Sequence, residues 1–559
     1  MRMKRDCRQC RHPFDTAERD LAFLEKVSPV FAEKVELISP PSLCPRCRMQ
    51  RRFSYRNERA LYRRTCDQTG NPLISFYRSD APFKVYEKDA WWSDAWDALS
   101  YGREVNLSQS FFDQIANLRT VVPRLGMLLS PDEGSAYSPY CMYTKRCYMC
   151  VSCVVNEDSL YCYQANDAKD CADCNSVTRC ERCYECVYCF GLQTSAFCKD
   201  CENGSGLFFC QDCKGCTDCI GCKNLVNKKL HVFNKPVSAE TFAALRAQLS
   251  SQSTLADIAE KCRALSLTLP TRSTHIVGCE NCTGDHLRNC KNVSACFDAM
   301  HLEDCSFVCP CPQPTKDTHD AHYSPQSELI YDCMSAVRSS RMRFSLHSWD
   351  CDDLSYCDEC YNCKHLFGCI GLRHKEYCIL NKQYTKEEYE HLVPLIIAHM
   401  REAQEWGEYF PIANSPFAYN ETIAQDEFPL AKEEVLARGW QWQEKTDDMP
   451  KVTKIIPAMQ LPDSIDAIPD DVCNWAIECA VTKRPFKIIK QELDFYRSMR
   501  LPVARLHPDE RHHRRMTLRN PRNLWRRPCA TCGKEMQTTY APERPEIVCC
   551  EECYLKEVY

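Results

Sequence analysis

At 559 residues with a formal net charge of −5, the chain is long enough for several domains and too balanced to act as a polycation throughout. Its 45 cysteines against 16 glycines are no ordinary enzyme composition, and an odd cysteine count argues against a closed disulfide framework. Residues 1–10 are charged with no apolar run behind them, and the longest aliphatic stretch, residues 392–397, is too short to span a bilayer, so a soluble cytoplasmic protein with reduced thiols is expected.

The first predicted element is an N-terminal zinc module over residues 1–100. Cys7-x2-Cys10 and Cys44-x2-Cys47 supply four thiolates in two knuckles, the tetrahedral set of a closed structural zinc site. Eight arginines against one acid follow in residues 46–64, and Arg48, Arg51, Arg52, Arg56, Arg59, Arg63 and Arg64 are spaced so that helical pitch gathers much of the charge on one face. A linker or helical segment occupies residues 101–140.

Residues 141–234 form a first cysteine-rich block. All eighteen cysteines from Cys141 to Cys222 fall at positions divisible by three, and recurrences at eighteen and thirty-six residues link Cys162, Cys180, Cys198 and Cys216. Such recurrence predicts a solenoid, with a coil of eighteen residues and thiol ladders along its axis. Period three is neither the strand period nor the helical one, so the coil is bent at short intervals. Residues 235–272 hold a capping helix and linker, with Ser238 as N-cap before a helix over residues 239–249. A second block at 273–384 repeats the first at a shift of 147, placing Cys186, Cys210 and Cys222 on Cys333, Cys357 and Cys369. Thr385 then caps a helix running to about residue 406, followed by an extended linker to residue 472.

The C-terminal module, residues 473–559, copies the N-terminal one at a shift of 463. Its arginines Arg511, Arg514, Arg515, Arg519, Arg522, Arg526 and Arg527 lie among eight against two acids in residues 505–527. Its intact metal site is the other one of the pair, Cys529-x2-Cys532 with Cys550-x2-Cys553. Two further sets have lost ligands: Cys66, Thr69, Glu87 and Ala90, and Cys479, Thr482, His507 and Glu510. The fold class is therefore multidomain: two cysteine-ladder solenoid (β-helix-like) blocks with capping helices, flanked by duplicated zinc-ribbon or treble-clef-like modules.

The chain resembles an uncharacterised cysteine-rich, zinc-ribbon-bearing family of candidate-phyla (Patescibacteria-type) bacteria. The resemblance covers nearly the whole length. It is carried by Cys44-Pro45-x-Cys47-Arg48 with Arg56-Asn57-Glu58-Arg59-x-Leu61-Tyr62, by Trp91-Trp92-Ser93-Asp94, and by Asn381-Lys382-Gln383-Tyr384. Ser415-Pro416-Phe417-Ala418-Tyr419-Asn420-Glu421-Thr422 and Tyr540-Ala541-Pro542-Glu543-Arg544-Pro545-Glu546-Ile547 extend it. It implies architecture and leaves function open.

Three readings of the solenoid cysteines stand side by side. They are small apolar core residues, ligands of iron–sulfur or polynuclear zinc clusters through runs such as Cys147/Cys150/Cys153, or partners in regulatory disulfides. On the first reading, a serine in their place costs more than an alanine by burying a hydroxyl. The polar cluster Asp317, His319, Asp320 and His322, near His301, Cys305, Cys309 and Cys311, breaks the phase and is expected in an exposed loop, with a metal or acid–base site as the alternative. Nucleotide-binding, zinc-protease and nucleophile-elbow motifs are absent. The expectation is a non-enzymatic scaffold with two zinc ions, binding nucleic acid, RNA preferred, through the two arginine segments. Arginine forks suit phosphate, and Tyr55, Tyr62 and Trp525 could stack on bases. An intracellular iron–sulfur or thiol redox protein and a protein–protein interaction solenoid are the alternatives.

Overall fold

The computed structural model describes residues 3–128, 132–311, 313–323, 328–335, 337–338, 340–444, 452 and 454–558. Both cysteine-rich blocks form stacked parallel ladders. In the first, pairing runs from Ala136↔Tyr148 to Lys214↔Val226, each residue meeting the one twelve positions on. The strands Glu181–Tyr184, Gln193–Ala196, Ser205–Phe208, Thr217–Ile220 and Lys229–Val232 keep the same offset. The rung therefore has twelve residues, which corrects the eighteen read from the sequence. Eighteen is one and a half rungs and thirty-six is three, so the longer recurrences are overtones of a shorter repeat.

Each rung is assembled from triplets. An inward residue, usually cysteine, precedes a bridging residue, and a residue with positive φ then turns the chain, as in Cys150, Val151 and Ser152, where φ is 53°. Asp and Asn tolerate that left-handed conformation better than most side chains, and Asp167, Asp170, Asp173 and Asn203 stand at such corners. The bridging N–H reaches the next rung (Val151 N–H to Cys162 O, 2.9 Å), and the corner N–H reaches back (Ser152 N–H to Pro139 O, 3.2 Å). That leaves the inward N–H, which is bonded by the inward side chain one rung earlier wherever that side chain is a serine or cysteine placed to accept.

Cys150 N–H donates to Ser138 Oγ at 3.2 Å, Cys357 N–H to Ser345 Oγ at 3.2 Å, Cys363 N–H to Cys351 Sγ at 3.4 Å, and Val308 N–H to Cys296 Sγ at 3.2 Å. Inward positions take apolar residues of several sizes, Ala165, Val177, Leu192 and Leu207 among them; a residue that also accepts the hydrogen bond must be small and largely apolar. Cysteine meets all three conditions, and its S–H reaches a carbonyl as well, as Cys162 Sγ does to Cys171 O at 3.5 Å.

The second ladder bends the rule without breaking. It opens with rungs of eleven (Glu280↔Lys291), passes a bulge to twelve (Gly284↔Cys296), and reaches thirteen at Leu302↔Thr315. Thr318, His319, Asp320 and His322 are buried within it. The expected exposed loop is thus a continuation of the ladder with one extra residue.

The chain divides into two compact units. Unit 1 comprises residues 1–127, 274–443 and 522–524, so the N-terminal module folds with the second ladder. Unit 2 comprises residues 128–273, 444–521 and 525–559, so the C-terminal module folds with the first. Modules that neighbour in sequence are exchanged in space.

Inside unit 1, Val85–Tyr86 pairs in parallel with Arg124–Leu125; inside unit 2, Val548–Cys549 pairs likewise with Thr271–Arg272. These positions are related by the same shifts of 463 and 147, so the second repeat extends upstream of the ladders. It carries the Phe111–Arg119 helix onto part of the Gln252–Thr268 helix. Gly221 and Gly368 mark where these helices press on the rungs: a Cβ at Gly368 would lie 2.7 Å from Phe111 Cζ, and one at Gly221 2.9 Å from Cys262 Sγ. The helices after each ladder are Ala239–Gln248 and Lys386–Glu402, capped by Ser238 and Thr385. Among the described residues no helix is long and apolar enough to cross a membrane.

Candidate metal centres and the arginine clamps

Four knuckles share one hydrogen-bond pattern. Cys7, Cys66, Cys479 and Cys529 each end a strand or its extension. Each backbone N–H bonds the carbonyl five residues on (His12, Asn71, Arg484 and Lys534, at 2.8–3.0 Å), and each carbonyl accepts from the fourth residue on, at 2.9–3.1 Å. The second half of each intact site arrives on a helix. Cys44 caps the Pro45–Phe53 helix, whose Pro45 occupies the first turn where no N–H is needed, and its N–H donates to Cys7 Sγ at 3.3 Å. Cys550 precedes the Glu551–Val558 helix, and its N–H donates to Cys529 Sγ at 3.3 Å.

In both intact sites the four sulfurs lie within 4.8 Å of one another. Cys10 and Cys44 stand 3.8 Å apart, as do Cys532 and Cys550. A tetrahedron of sulfurs about 2.3 Å from a central zinc has an edge of about 3.8 Å. Either tetrad could bind a metal ion. The thiols are already polarised: hydrogen bonds, that from Cys47 first, pull Cys44 down to about 5 while Cys47 is pushed up in turn. Burial would raise Cys529, but the backbone N–H groups of Cys532, Cys550 and Thr531 bring it to about 6.

The depleted sets keep the knuckle and replace the ligands. Glu87 N–H still donates to Cys66 Sγ at 3.3 Å, while Thr69 Oγ1 donates to Glu87 Oε1 at 2.5 Å across the space a metal would fill. None of the ladder cysteines joins a group of three or more metal-ligating atoms within 4.8 Å among the described residues.

The arginine segments are not the exposed helical faces expected from their spacing. The first helix stops at Phe53 and the second at Leu518, and Arg63, Arg64, Arg526 and Arg527 lie on short strands. Within unit 1, Arg48, Arg51, Arg52 and Arg56 are buried. Arg48 meets Asp320 at 2.8 Å, Arg51 meets Asp332 and Glu408 at 2.7 Å each, and Arg52 bridges Asp320 (3.2 Å) and Asp332. Arg56 pairs with Glu58 at 2.5 Å, and Arg522 with Asp298 and Glu427 at 2.8 Å each.

Within unit 2, Arg511 pairs with Asp173 (2.6 Å) and Glu492 (3.1 Å), and Arg515 with Asp173 (2.6 Å). Arg519 donates to Tyr188 Oη at 2.8 Å, and Arg527 to the carbonyl of Glu546 at 2.9 Å. Burial alone would raise the Asp332 carboxyl; the guanidiniums of Arg52, Arg51 and Arg48 outweigh it and hold the group below the usual carboxylate range.

Asp320 and Asp332 are corner residues on successive rungs, and Arg48, Arg51 and Arg52 project from just over one turn of helix to meet both. This geometry withdraws Arg48, Arg51, Arg52, Arg56, Arg511, Arg515, Arg519 and Arg522 from any nucleic-acid surface, because their forks are spent on carboxylates and neutral acceptors inside the fold. Arg64 pairs with Asp67 at 2.7 Å. Arg59 is half-buried, while Arg63, Arg514 and Arg526 are exposed. Tyr55, offered as a base-stacking ring, is 1% exposed. The polar cluster is dispersed too: His319 stacks on Phe23 with ring centres 3.7 Å apart, and His322 sits edge-on to Phe53 with Nδ1 at 3.1 Å from Cys309 O.

In the sequence Asp320 stands out only as part of a polar cluster, and the role of Asp320, Asp332 and Asp173 as arginine partners does not show, although a signal exists. Asp173 and Asp320 are related by the 147-residue shift, as are Glu185 and Asp332, and the two acids within each ladder sit twelve residues apart, one rung.

No family model matches the chain, and no curated protein does. Among solved structures, a crystal structure of a protein assigned as an acetyltransferase from Desulfovibrio desulfuricans G20 aligns over 50% of this chain and 82% of its own, with 7% identity and a TM-score of 0.10. That likeness is too slight to carry the fold or any activity.

Proposed function

We propose that the chain is a non-enzymatic binding scaffold: two solenoids, each held by a terminal module that one zinc ion stabilises. The observation that supports it is the clamp. In each unit the buried arginines of the module join carboxylates of the ladder, as Arg52 does with Asp320 and Asp332 and Arg515 with Asp173. Groups tied this way hold the module rigidly against the ladder. Zinc fits the tetrads because an all-thiolate, closed tetrahedral site is its ordinary structural environment. The thiols of the ladders serve as core residues on this reading.

Protein purified without oxygen should contain two zinc ions and no iron, absorb nothing near ~400 nm where iron–sulfur charge transfer lies, and fall to one zinc when Cys10 is replaced by serine. Four or more metals per chain, or iron in place of zinc, overturns the reading in favour of a redox protein. The nucleic-acid reading is left with Arg63, Arg514 and Arg526. Salt-sensitive RNA binding that is abolished when those three are changed to alanine would restore it.

A further inference from the structure

The duplication places a matching row in both units; unit 1 covers all of it, while unit 2 buries the ends, Tyr184 and Ile220, and leaves the two middle rings, Phe197 and Phe209, partly exposed. In unit 1 the row is Tyr331, Phe344, Tyr356 and Phe367, with Phe344 and Tyr356 stacked at 4.9 Å and 18°. The 147-residue shift puts Tyr184, Phe197, Phe209 and Ile220 in unit 2, with Phe197 and Phe209 stacked at 4.5 Å and 12°.

Unit 1 seals its row: Phe112 lies 5.7 Å from Tyr356, and Trp406 and Phe410 each lie 6.1 Å from it. Phe344 and Tyr356 are left with 0% exposure. In unit 2 the residue matching Phe112 is Ala259, and Phe197 and Phe209 stay half-exposed. They line a cavity of about 890 Å³ with Ala259 and Cys262 on one wall and Val481 and Leu518 at its lips. That volume lies in the range of small-molecule sites.

The charges differ in the same sense. Arg51 in unit 1 is satisfied by Asp332 and by Glu408, which comes in with the sealing segment. Its counterpart Arg514 lines the cavity together with Glu185, the counterpart of Asp332, whose carboxylate feels its charge; Arg514 meets Glu510 at 3.2 Å and keeps 56% of its side chain exposed. Lys199 lines the same cavity. What unit 1 supplies from its own chain is an aromatic ring followed by a carboxylate.

We propose that the unit 2 cavity binds a small planar aromatic anion, its ring against Phe197 and Phe209 and its acidic group on Arg514. The ring replaces Phe112 and Phe410, and the acid replaces Glu408. The claim is independent of zinc and of the scaffold reading, since it rests on the ladder rings, Ala259 and Arg514.

The test uses the full-length protein and the fluorescent aromatic sulfonate anilinonaphthalene sulfonate, with uncharged phenylnaphthylamine as its comparison. One sulfonate per chain should bind with enhanced emission. Ala259→Phe, which restores the residue that seals unit 1, should abolish binding. Arg514→Glu should weaken the sulfonate about tenfold, the worth of one charge-assisted hydrogen bond, and leave the uncharged probe unaffected. Because Arg514 is exposed, that variant keeps the fold even if Ala259→Phe does not. Undiminished sulfonate binding in either folded variant, no binding at all, or equal losses for both probes in Arg514→Glu overturns the proposal.

Discussion

The Sγ of Cys351 accepts the N–H of Cys363 at 3.4 Å and stands 3.2 Å from the carbonyl of Trp349. An alanine there would strand a buried N–H, while a serine would keep an acceptor in place, as Ser345 and Ser348 do naturally for Cys357 and Cys360 at 3.2 Å. Cys351→Ala should therefore cost about 1–3 kcal/mol, the penalty of an unsatisfied buried donor, and Cys351→Ser less. Denaturant melts of both variants check the order, and serine proving the costlier would show that the thiol acts as an apolar filler alone. The reverse order was expected from composition, because a sequence shows a small apolar side chain and not the amide above it. The phase of three was legible; the reason for cysteine lay in the hydrogen bond between rungs.

At the scale of the element, the clamp joins a short helix to two corners of a ladder. Asp332 is 0% exposed with Arg51 and Arg52 on it, so Asp332→Ala takes one of two carboxylates from each of these buried guanidiniums and leaves Arg51 only Glu408 and Arg52 only Asp320. Breaking such a pair from one side costs about 3–5 kcal/mol, while replacing both partners by apolar residues of similar size is often neutral. Asp332→Ala should destabilise unit 1 by that amount in denaturant, and Asp332→Leu combined with Arg51→Met and Arg52→Met should recover much of it. A single variant as stable as the parent would mean that the pairs form without holding anything. The helix starts and the tetrads were readable from Cys-Pro-x-Cys and the paired knuckles. The destination of the arginines was not, since a basic helix face looks the same whether it meets phosphate, water or an aspartate 280 residues away.

At the scale of the whole molecule, the exchange of modules makes a prediction about the covalent chain. Residues 444–521 and 525–559 fold with residues 128–273, through contacts that include Arg511 with Asp173 and Tyr161 Oη with Glu492 at 2.9 Å. A protease site inserted after Gln443 should yield two fragments that elute together from a sizing column and separate only in denaturant. Separation in native buffer would disprove the exchange. The two ladders and the duplicated ends were visible in the sequence as shifts of 147 and 463. Which end joins which ladder was not, because repeats report likeness and say nothing of partnership.

The exchange also sets an order of events while the protein is being made. Arg52 leaves the ribosome some 280 residues before Asp332, and Asp173 waits longer still for Arg511 and Arg515. At about 5–20 residues per second, the usual pace of synthesis, the first module spends tens of seconds with its cationic forks unmatched, and the first ladder stays uncovered over a similar span. Neither unit can close until the chain has passed its midpoint, so domain-by-domain completion from the N-terminus is denied to it. The N-terminal tetrad, built within residues 7–47, is the part that can form early, and a metal ion captured there would give the nascent module its shape before its partner ladder exists.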